Sequence, residues 1–125
     1  MVNQKKSYSK TNYLKNFIKY NSLSGSKANM FQYNSNCTDI HEIHKFRVFM
    51  ELIKRDFIVF TEVEFKKNLG RCDLLCFDKK GEGHIFEIVN SESEESINKK
   101  LDKYPIDFEV HLIYCNKNLE EQVII

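Results

Sequence analysis

The sequence has no tryptophan, one proline (Pro105), four glycines and no long apolar run. Because a membrane-spanning helix needs roughly 18 consecutive apolar residues, we expect no membrane partner. Four cysteines are too few for a disulfide scaffold in 125 residues, and the polar N-terminus lacks the apolar core of a signal peptide. There is no glycine-rich phosphate-binding loop and no nucleophilic triad, and we expect no small-molecule organic cofactor. Together these absences predict a cytoplasmic protein with reduced thiols.

The charge is distributed unevenly, although its sum is only +1. Residues 1–40 contain six lysines and one aspartate, whereas residues 41–125 contain 13 basic and 17 acidic residues. We predict a basic, polar N-terminal arm over residues 1–37, with a short helix and a linker, and an α/β domain over residues 38–125. The arm is either an unstructured polar tail or a segment that contacts nucleic-acid phosphates. The basic residues that would bind nucleic acid are Lys5, Lys6, Lys10, Lys15 and Lys19, together with Arg71 of the domain.

Two helices are predicted within the domain. The first begins at Thr38 or Asp39, either of which can act as the N-cap, and the second follows Ser91 or Ser93 and ends at Pro105. The apolar residues that give the first helix its period are Ile43, Phe46, Met50 and Ile53. The buried face of the second helix is expected to contain Ile97, Leu101 and Tyr104.

Four segments rich in β-branched and aromatic residues predict strands over residues 57–65, 71–77, 84–90 and 108–115. The two middle strands are almost wholly apolar on both faces, which is typical of central strands covered by helices. We therefore predict a three-layer α/β/α sandwich with a central mixed sheet of about four strands.

Two carboxylates interrupt the apolar middle strands, Asp73 in the first of them and Glu87 in the second. The Lys-Lys-Gly sequence of residues 79–81 suits a three-residue hairpin loop with Gly81 in the left-handed conformation. In that register the numbers of paired residues add up to 160, so Asp73 and Glu87 lie opposite each other on one face of the sheet. A loop of two or four residues would send them to opposite faces.

Two opposed buried carboxylates repel each other unless a cation or basic side chains neutralise them. A divalent cation such as Mg²⁺, which proteins commonly hold with one or two carboxylates and water, is one solution. The alternative is a structural network in which Arg71, Lys45 or a lysine of the second helix pairs with the carboxylates.

The two carboxylate segments resemble the short motifs of the PD-(D/E)XK nuclease superfamily. The matching residues are 70–75 (GRCDLL) and 86–89 (FEIV), with a predicted helix before and after them. The preceding helix and strand are similar to the lead-in of several small branches, over Thr38, His41, Lys45, Val48, Leu52, Val59 and Glu62. The resemblance covers roughly residues 38–115.

This resemblance implies a restriction-endonuclease-like fold and Mg²⁺- or Mn²⁺-dependent hydrolysis of phosphodiester bonds in DNA. It implies that Asp73 and Glu87 hold the metal and that a further carboxylate assists, with Glu62, Glu42 and Glu51 as candidates in that order. Because small cores of this kind often dimerise to engage a duplex, it also implies DNA and a second copy of the chain as partners.

The sequence departs from the superfamily at one position, because Val89 stands where the motif has a lysine. That lysine stabilises developing negative charge, so its loss could leave a catalytically inactive module that binds nucleic acid or a protein partner. Other elements can supply the missing charge: Lys45, Lys99, Lys100 and Arg71 are the candidates. Of the two candidates in the second helix we favour Lys100 over Lys99, because Lys100 lies beside the apolar face of that helix.

The other metal-ligating residue types are expected to be structural. Cys72 and Cys76 fall on one face of their strand, opposite to the carboxylate, and we expect buried thiols with Cys115 nearby rather than a zinc site. His41 and His44 lie in the first helix, where we expect them on its surface.

Overall fold

A mixed four-stranded sheet forms the centre of the structure, a computed structural model that describes residues 28–104 and 108–123. The strand bounds are Ile58–Glu64 (β1), Arg71–Phe77 (β2), Gly83–Val89 (β3) and Glu109–Tyr114 (β4). The strands lie in chain order. The pairs β1–β2 and β2–β3 are antiparallel, and β4 is parallel to β3. The prediction of an α/β fold with a four-stranded mixed sheet is thereby confirmed.

The turn between β2 and β3 has the predicted three residues and sets the register of the two strands. The Asp78 N–H donates to the Glu82 carbonyl at 3.0 Å. Gly81 has a φ of +82°, in the left-handed region that glycine adopts without steric cost. The residue numbers of each pair add up to 160, as predicted, in Phe77–Gly83, Cys76–His84, Leu75–Ile85 and Leu74–Phe86.

Regular pairing is interrupted at one row of residues across the first three strands. The β1–β2 register skips Glu62 and Asp73, and the β2–β3 pairs end just before Asp73 and Glu87. Glu62 has a φ of +52°, which is rare for a residue with a side chain. The prediction that Cys72 and Cys76 share one face is wrong, because the alternation of side chains breaks at this row and the two thiols join different core clusters. All four cysteines are free.

Helix α1 (Asp39–Lys54) turns a partly polar face toward the sheet. Thr38 is its N-cap, and the Thr38 hydroxyl oxygen accepts a hydrogen bond from the His41 N–H at 3.2 Å. The buried residues are His41, Glu42 and Lys45 near its start, followed by Val48, Phe49 and Leu52. The apolar residues that indicate the helix in the sequence lie mostly outside, since Ile43, Phe46 and Met50 are between 40% and 57% exposed.

Helix α2 (Glu94–Lys103) is capped by Ser93 and is followed directly by Tyr104. Every residue of α2 is at least partly exposed, and the predicted buried face is correct only for Tyr104, which is 7% exposed. The reason is composition: Ile97 and Leu101 are the two apolar residues among ten, too little apolar surface to enclose a helix. A short helix, α3 (Leu119–Gln122), follows β4. Within the described residues, the helices are too short or too polar to cross a membrane.

The segment just before α1 packs along the outer edge of β1. The Asn29 N–H donates to the Val59 carbonyl at 2.7 Å, and the Val59 N–H donates to the Asn29 side chain at 2.8 Å. The Gln32 N–H donates to the Thr61 hydroxyl at 2.9 Å. Residues 28–37, which the sequence assigned to the arm, therefore join the domain by these contacts. Residues 1–27, which include the five lysines predicted to bind nucleic acid, lie outside the described residues.

Candidate metal centre

The carboxylates of Asp73 and Glu87 meet where β2 and β3 stop pairing. The Asp73 N–H donates to Glu87 Oε1 at 3.3 Å, and the Ile88 N–H donates to Asp73 Oδ2 at 2.8 Å. Side-chain oxygens thus take the place of backbone carbonyls in the hydrogen bonding between the two strands. Glu87 is also buried, with only 4% of its surface exposed. The two acids predicted to face each other are therefore in close contact at the interruption.

The two acids have opposite pKa shifts. Burial, and then the charge of Asp73, raise the pKa of Glu87 to about 8. Burial alone would also raise the pKa of Asp73, but the hydrogen bond and charge of His41 outweigh it and lower that pKa. At neutral pH the pair therefore carries one negative charge on Asp73 and one proton on Glu87.

Tyr104 supports Glu87 from the end of α2. Its hydroxyl contacts Glu87 Oε1 and lies 2.9 Å from the Arg71 carbonyl oxygen. A tyrosine hydroxyl has one proton and cannot donate to both, so a protonated Glu87 can donate to the Tyr104 oxygen while Tyr104 donates to Arg71. Burial, and then the charge of Glu87, raise the pKa of Tyr104, which therefore stays neutral. In the sequence Tyr104 stands out only as an apolar helix residue, and its position directly before Pro105 gives no sign of this role.

Lys100 is the lysine that reaches the acidic pair. Its Nζ lies 3.7 Å from Glu87 Oε2, and its side chain is about half exposed. Burial opposes the effect, but the charges of Glu87 and Asp73 raise the pKa of Lys100. Lys100, Glu87 and Val89 line one small cleft, so the ammonium group approaches the acids from the side of the position where the motif has its lysine. The Lys99 side chain is exposed and its Nζ lies 4.0 Å from Glu95.

A chain of alternating charges extends from Asp73 through α1 to β1. His41 Nε2 lies 3.2 Å from Asp73 Oδ2, and His41 Nδ1 lies 2.7 Å from Glu42 Oε2. Lys45 Nζ lies 2.7 Å from Glu42 Oε1 and 3.4 Å from Glu62 Oε2. Burial opposes protonation of His41, but hydrogen bonding and charge from Asp73, and then from Glu42, raise its pKa to about 9. His41 is thus buried and cationic at neutral pH, and the expectation that it lies on the helix surface is wrong.

The segment before α1 encloses this chain of charges. The Asn34 N–H donates to Glu42 Oε1 at 2.7 Å, and the Asn34 side-chain amide donates to Glu62 Oε1. Lys45 Nζ donates to the Gln32 carbonyl at 2.9 Å. Lys45 therefore binds Glu42, Glu62 and this segment, and not the Asp73–Glu87 pair that the alternative network assigned to it. No sequence signal links residues 32–34 to the acids, because the contacts depend on how the segment packs.

The remaining candidates lie away from the acidic pair. Glu51 pairs with Arg55 at 3.3 Å, and His44 is half-buried on α1, where its Nδ1 lies 2.8 Å from the Ile40 carbonyl oxygen. Arg71 is exposed and pairs in the sheet with Glu64 of β1.

Three groups of side chains in the described residues could hold a metal ion by the closeness of their ligand atoms. One of them, Cys37 with His41 and Glu42, borders the acidic pair. Comparisons with protein-family models, curated proteins and solved structures found no match to this chain.

Proposed function

We propose that this protein is a Mg²⁺- or Mn²⁺-dependent nuclease of the PD-(D/E)XK type that hydrolyses phosphodiester bonds in DNA. The observation that carries the proposal is the meeting of Asp73, Glu87 and Lys100 at the interruption of the sheet. We also propose the three-layer, restriction-endonuclease-like arrangement. Its support is that α1 packs on one core cluster of the sheet, while Leu101 of α2 packs on the other.

The donor atoms of the acidic pair fit a hard divalent cation. Asp73 and Glu87 offer oxygen ligands, which Mg²⁺ and Mn²⁺ prefer to nitrogen or sulfur. The raised pKa of Glu87 shows that a second negative charge is unfavourable in the protein alone, and a divalent cation removes that penalty. Asp73 and Glu87 would hold the ion. When bound, such an ion acidifies a water molecule and stabilises charge on phosphate oxygens.

The surrounding residues have distinct parts in this proposal. His41 keeps Asp73 ionised and fixes its orientation through the 3.2 Å contact. Tyr104 fixes Glu87 in the same way. Lys100 takes the role of the lysine that Val89 replaces, since its ammonium group can stabilise negative charge that develops on the phosphate. Glu62, which Lys45 and Asn34 hold in place, positions α1 against the strands that carry Asp73 and Glu87.

The test is cleavage of labelled linear and branched DNA duplexes by the full chain with Mg²⁺, with Mn²⁺ and with a chelator. We expect Asp73→Asn and Glu87→Gln to abolish cleavage. Lys100→Met is expected to reduce it by about 100-fold or more, the usual effect of losing one transition-state donor. Lys99→Met is the matched control, since Lys99 is the next residue on α2 and its exposed side chain lies near Glu95.

Cleavage that survives both acidic substitutions, or that needs no divalent ion, would contradict the site assignment. If no DNA is cut but DNA still binds in a salt-dependent manner, the protein is the inactive module that Val89 suggests. The salt dependence of DNA binding also tests the predicted phosphate contacts of the basic arm and of Arg71. Light scattering with and without duplex tests the predicted homodimer.

A further inference from the structure

A second cluster of metal-ligating side chains lies on β3 and β4, apart from the pair formed by Asp73 and Glu87. His84 and Glu109 are opposite each other in the parallel register of these strands, and His111 follows two residues after Glu109. Because residues two apart in a strand project to the same face, the three side chains share one face of the sheet. His84 is buried, His111 is partly buried and Glu109 is largely exposed. The cluster thus has a fixed inner part and an open outer side.

The distances within the cluster match those between ligands of one small ion. His84 Nδ1 and His111 Nε2 are 3.2 Å apart. The carboxylate oxygens of Glu109 lie 3.6 Å from His84 Nδ1 and 3.8 Å from His111 Nε2. Two atoms bound tetrahedrally at about 2.0 Å from one ion lie roughly 3.3 Å apart. The 3.6 Å distance is to Glu109 Oε2 and the 3.8 Å distance is to Oε1, so small movements of these side chains would bring one oxygen and the two nitrogens onto one ion.

Asp78 fixes the tautomer that such a site requires. Its Oδ2 lies 3.0 Å from His84 Nε2, and the N–H groups of Lys80 and Glu82 hold its other oxygen at 2.9 Å. A carboxylate can only accept, so His84 carries its proton on Nε2 and directs the lone pair of Nδ1 toward His111. This is the carboxylate–histidine–metal arrangement that orients ligands in many metal sites.

The ring of His111 is also held in place. It stacks on Phe86 with the ring centroids 4.6 Å apart and the planes at 15°. This stacking limits rotation of the imidazole while its Nε2 lies 3.2 Å from His84 Nδ1.

We propose that His84, His111 and Glu109 bind a transition-metal ion of the Zn²⁺ class, with Asp78 orienting His84. Two imidazoles and one carboxylate suit Zn²⁺ rather than Mg²⁺. Three protein ligands leave one tetrahedral position for water or an added ligand, and the bound ion would join β3 to β4. This site is separate from the proposed nuclease centre and does not depend on it.

The test is titration of the metal-free full chain with Co²⁺ as a spectroscopic substitute for Zn²⁺, and melting with and without Zn²⁺. We expect one tetrahedral Co²⁺ ion per chain, distinct from any ion held by oxygen ligands at Asp73 and Glu87, with no thiolate-to-metal band, and a higher melting temperature with Zn²⁺. His111→Gln and Glu109→Gln should each weaken binding by at least tenfold. Asp78→Asn, which removes the orienting acceptor, should weaken it by roughly 10–100-fold.

Two histidine substitutions serve as controls. His44→Gln changes a half-buried residue of α1 that belongs to none of the three candidate metal groups and should leave binding intact. His41→Gln tests the competing group with Cys37 and Glu42, and binding that depends on it, or a thiolate band, would overturn the proposal. Because the Glu109 side chain is largely exposed, Glu109→Gln should leave the fold intact. Unchanged metal affinity in this variant would therefore also overturn the proposal. Absence of Co²⁺ and Zn²⁺ binding in the native chain would overturn it as well.

Discussion

Glu87→Gln isolates the electrostatic penalty at the acidic pair. In the folded protein the pKa of Glu87 is about 8, whereas its ordinary value is 4.5. The folded chain therefore binds a proton between pH 4.5 and 8 that the unfolded chain has released. Stability from this group is fully present below pH 4.5 and is lost as the pH rises through 8. Glutamine has nearly the same shape and stays neutral, so the variant lacks this dependence.

The size of the effect follows from the pKa difference. Each pH unit within the window is worth at most about 1.4 kcal/mol, so ionisation of Glu87 removes on the order of 3–5 kcal/mol by pH 8.5. His41 acts in the same direction at higher pH, because its pKa is raised from 6.5 to about 9. The difference between wild type and Glu87→Gln cancels most of this second contribution. We expect that difference to move in favour of the variant by a few kcal/mol between pH 5 and 8.5.

The assay is urea unfolding of wild type and variant across this pH range in the presence of a chelator, repeated with Mg²⁺. A bound divalent ion stabilises the ionised pair, so Mg²⁺ should restore the stability of wild type at high pH and leave the variant unchanged. Glu95→Gln, an exposed substitution on α2, is the control and should follow wild type. Parallel stability curves for wild type and Glu87→Gln would refute the reasoning. If Mg²⁺ stabilised Glu87→Gln at high pH as much as it stabilises wild type, the assignment of Glu87 as a ligand would be refuted.

Two further substitutions test how the site is held. Lys45→Met should lower the free energy of unfolding in urea by about 3–5 kcal/mol, because it leaves the buried carboxylates of Glu42 and Glu62 without the counter-charge that bridges them. The control, Lys99→Met, should be nearly neutral in the same measurement. Gly83→Ala places a methyl group 2.3 Å from a ring carbon of Phe108, and thermal melting should show a loss of about 1–3 kcal/mol from overpacking, whereas a neutral effect would mean that the ring moves freely.

The sheet and its register could be predicted from the sequence because local chemistry determines them. The glycine at position 81 fits the left-handed position of a three-residue loop, and the loop length alone then places Asp73 opposite Glu87. The strand segments are equally local, since their β-branched and aromatic residues fill a pleated apolar surface. Helix caps followed the same logic at Thr38 and Ser93.

The surroundings of the acids could not be predicted, because they depend on contacts between distant segments. The apolar period of α1 points to Ile43, Phe46 and Met50, yet the helix turns His41 and Lys45 inward. An unpaired buried carboxylate is costly, so turning basic side chains toward the carboxylates stabilises the fold more than turning apolar side chains there would. The sequence pattern therefore identifies the helix correctly but not the face that meets the sheet.

Val89 bears directly on the proposed nuclease function, because it stands where the motif of that superfamily has a lysine. Val89 is 7% exposed, pairs with Tyr114 of β4 and lines the same small cleft as Glu87 and Lys100. Lys100 approaches from α2, where half of its side chain is in solvent and its ammonium group lies 3.7 Å from Glu87. Charge at a site depends on where the nitrogen lies and not on which strand supplies it. The loss of the motif lysine therefore does not by itself indicate an inactive protein, and the comparison of Lys100→Met with Lys99→Met decides between the two interpretations.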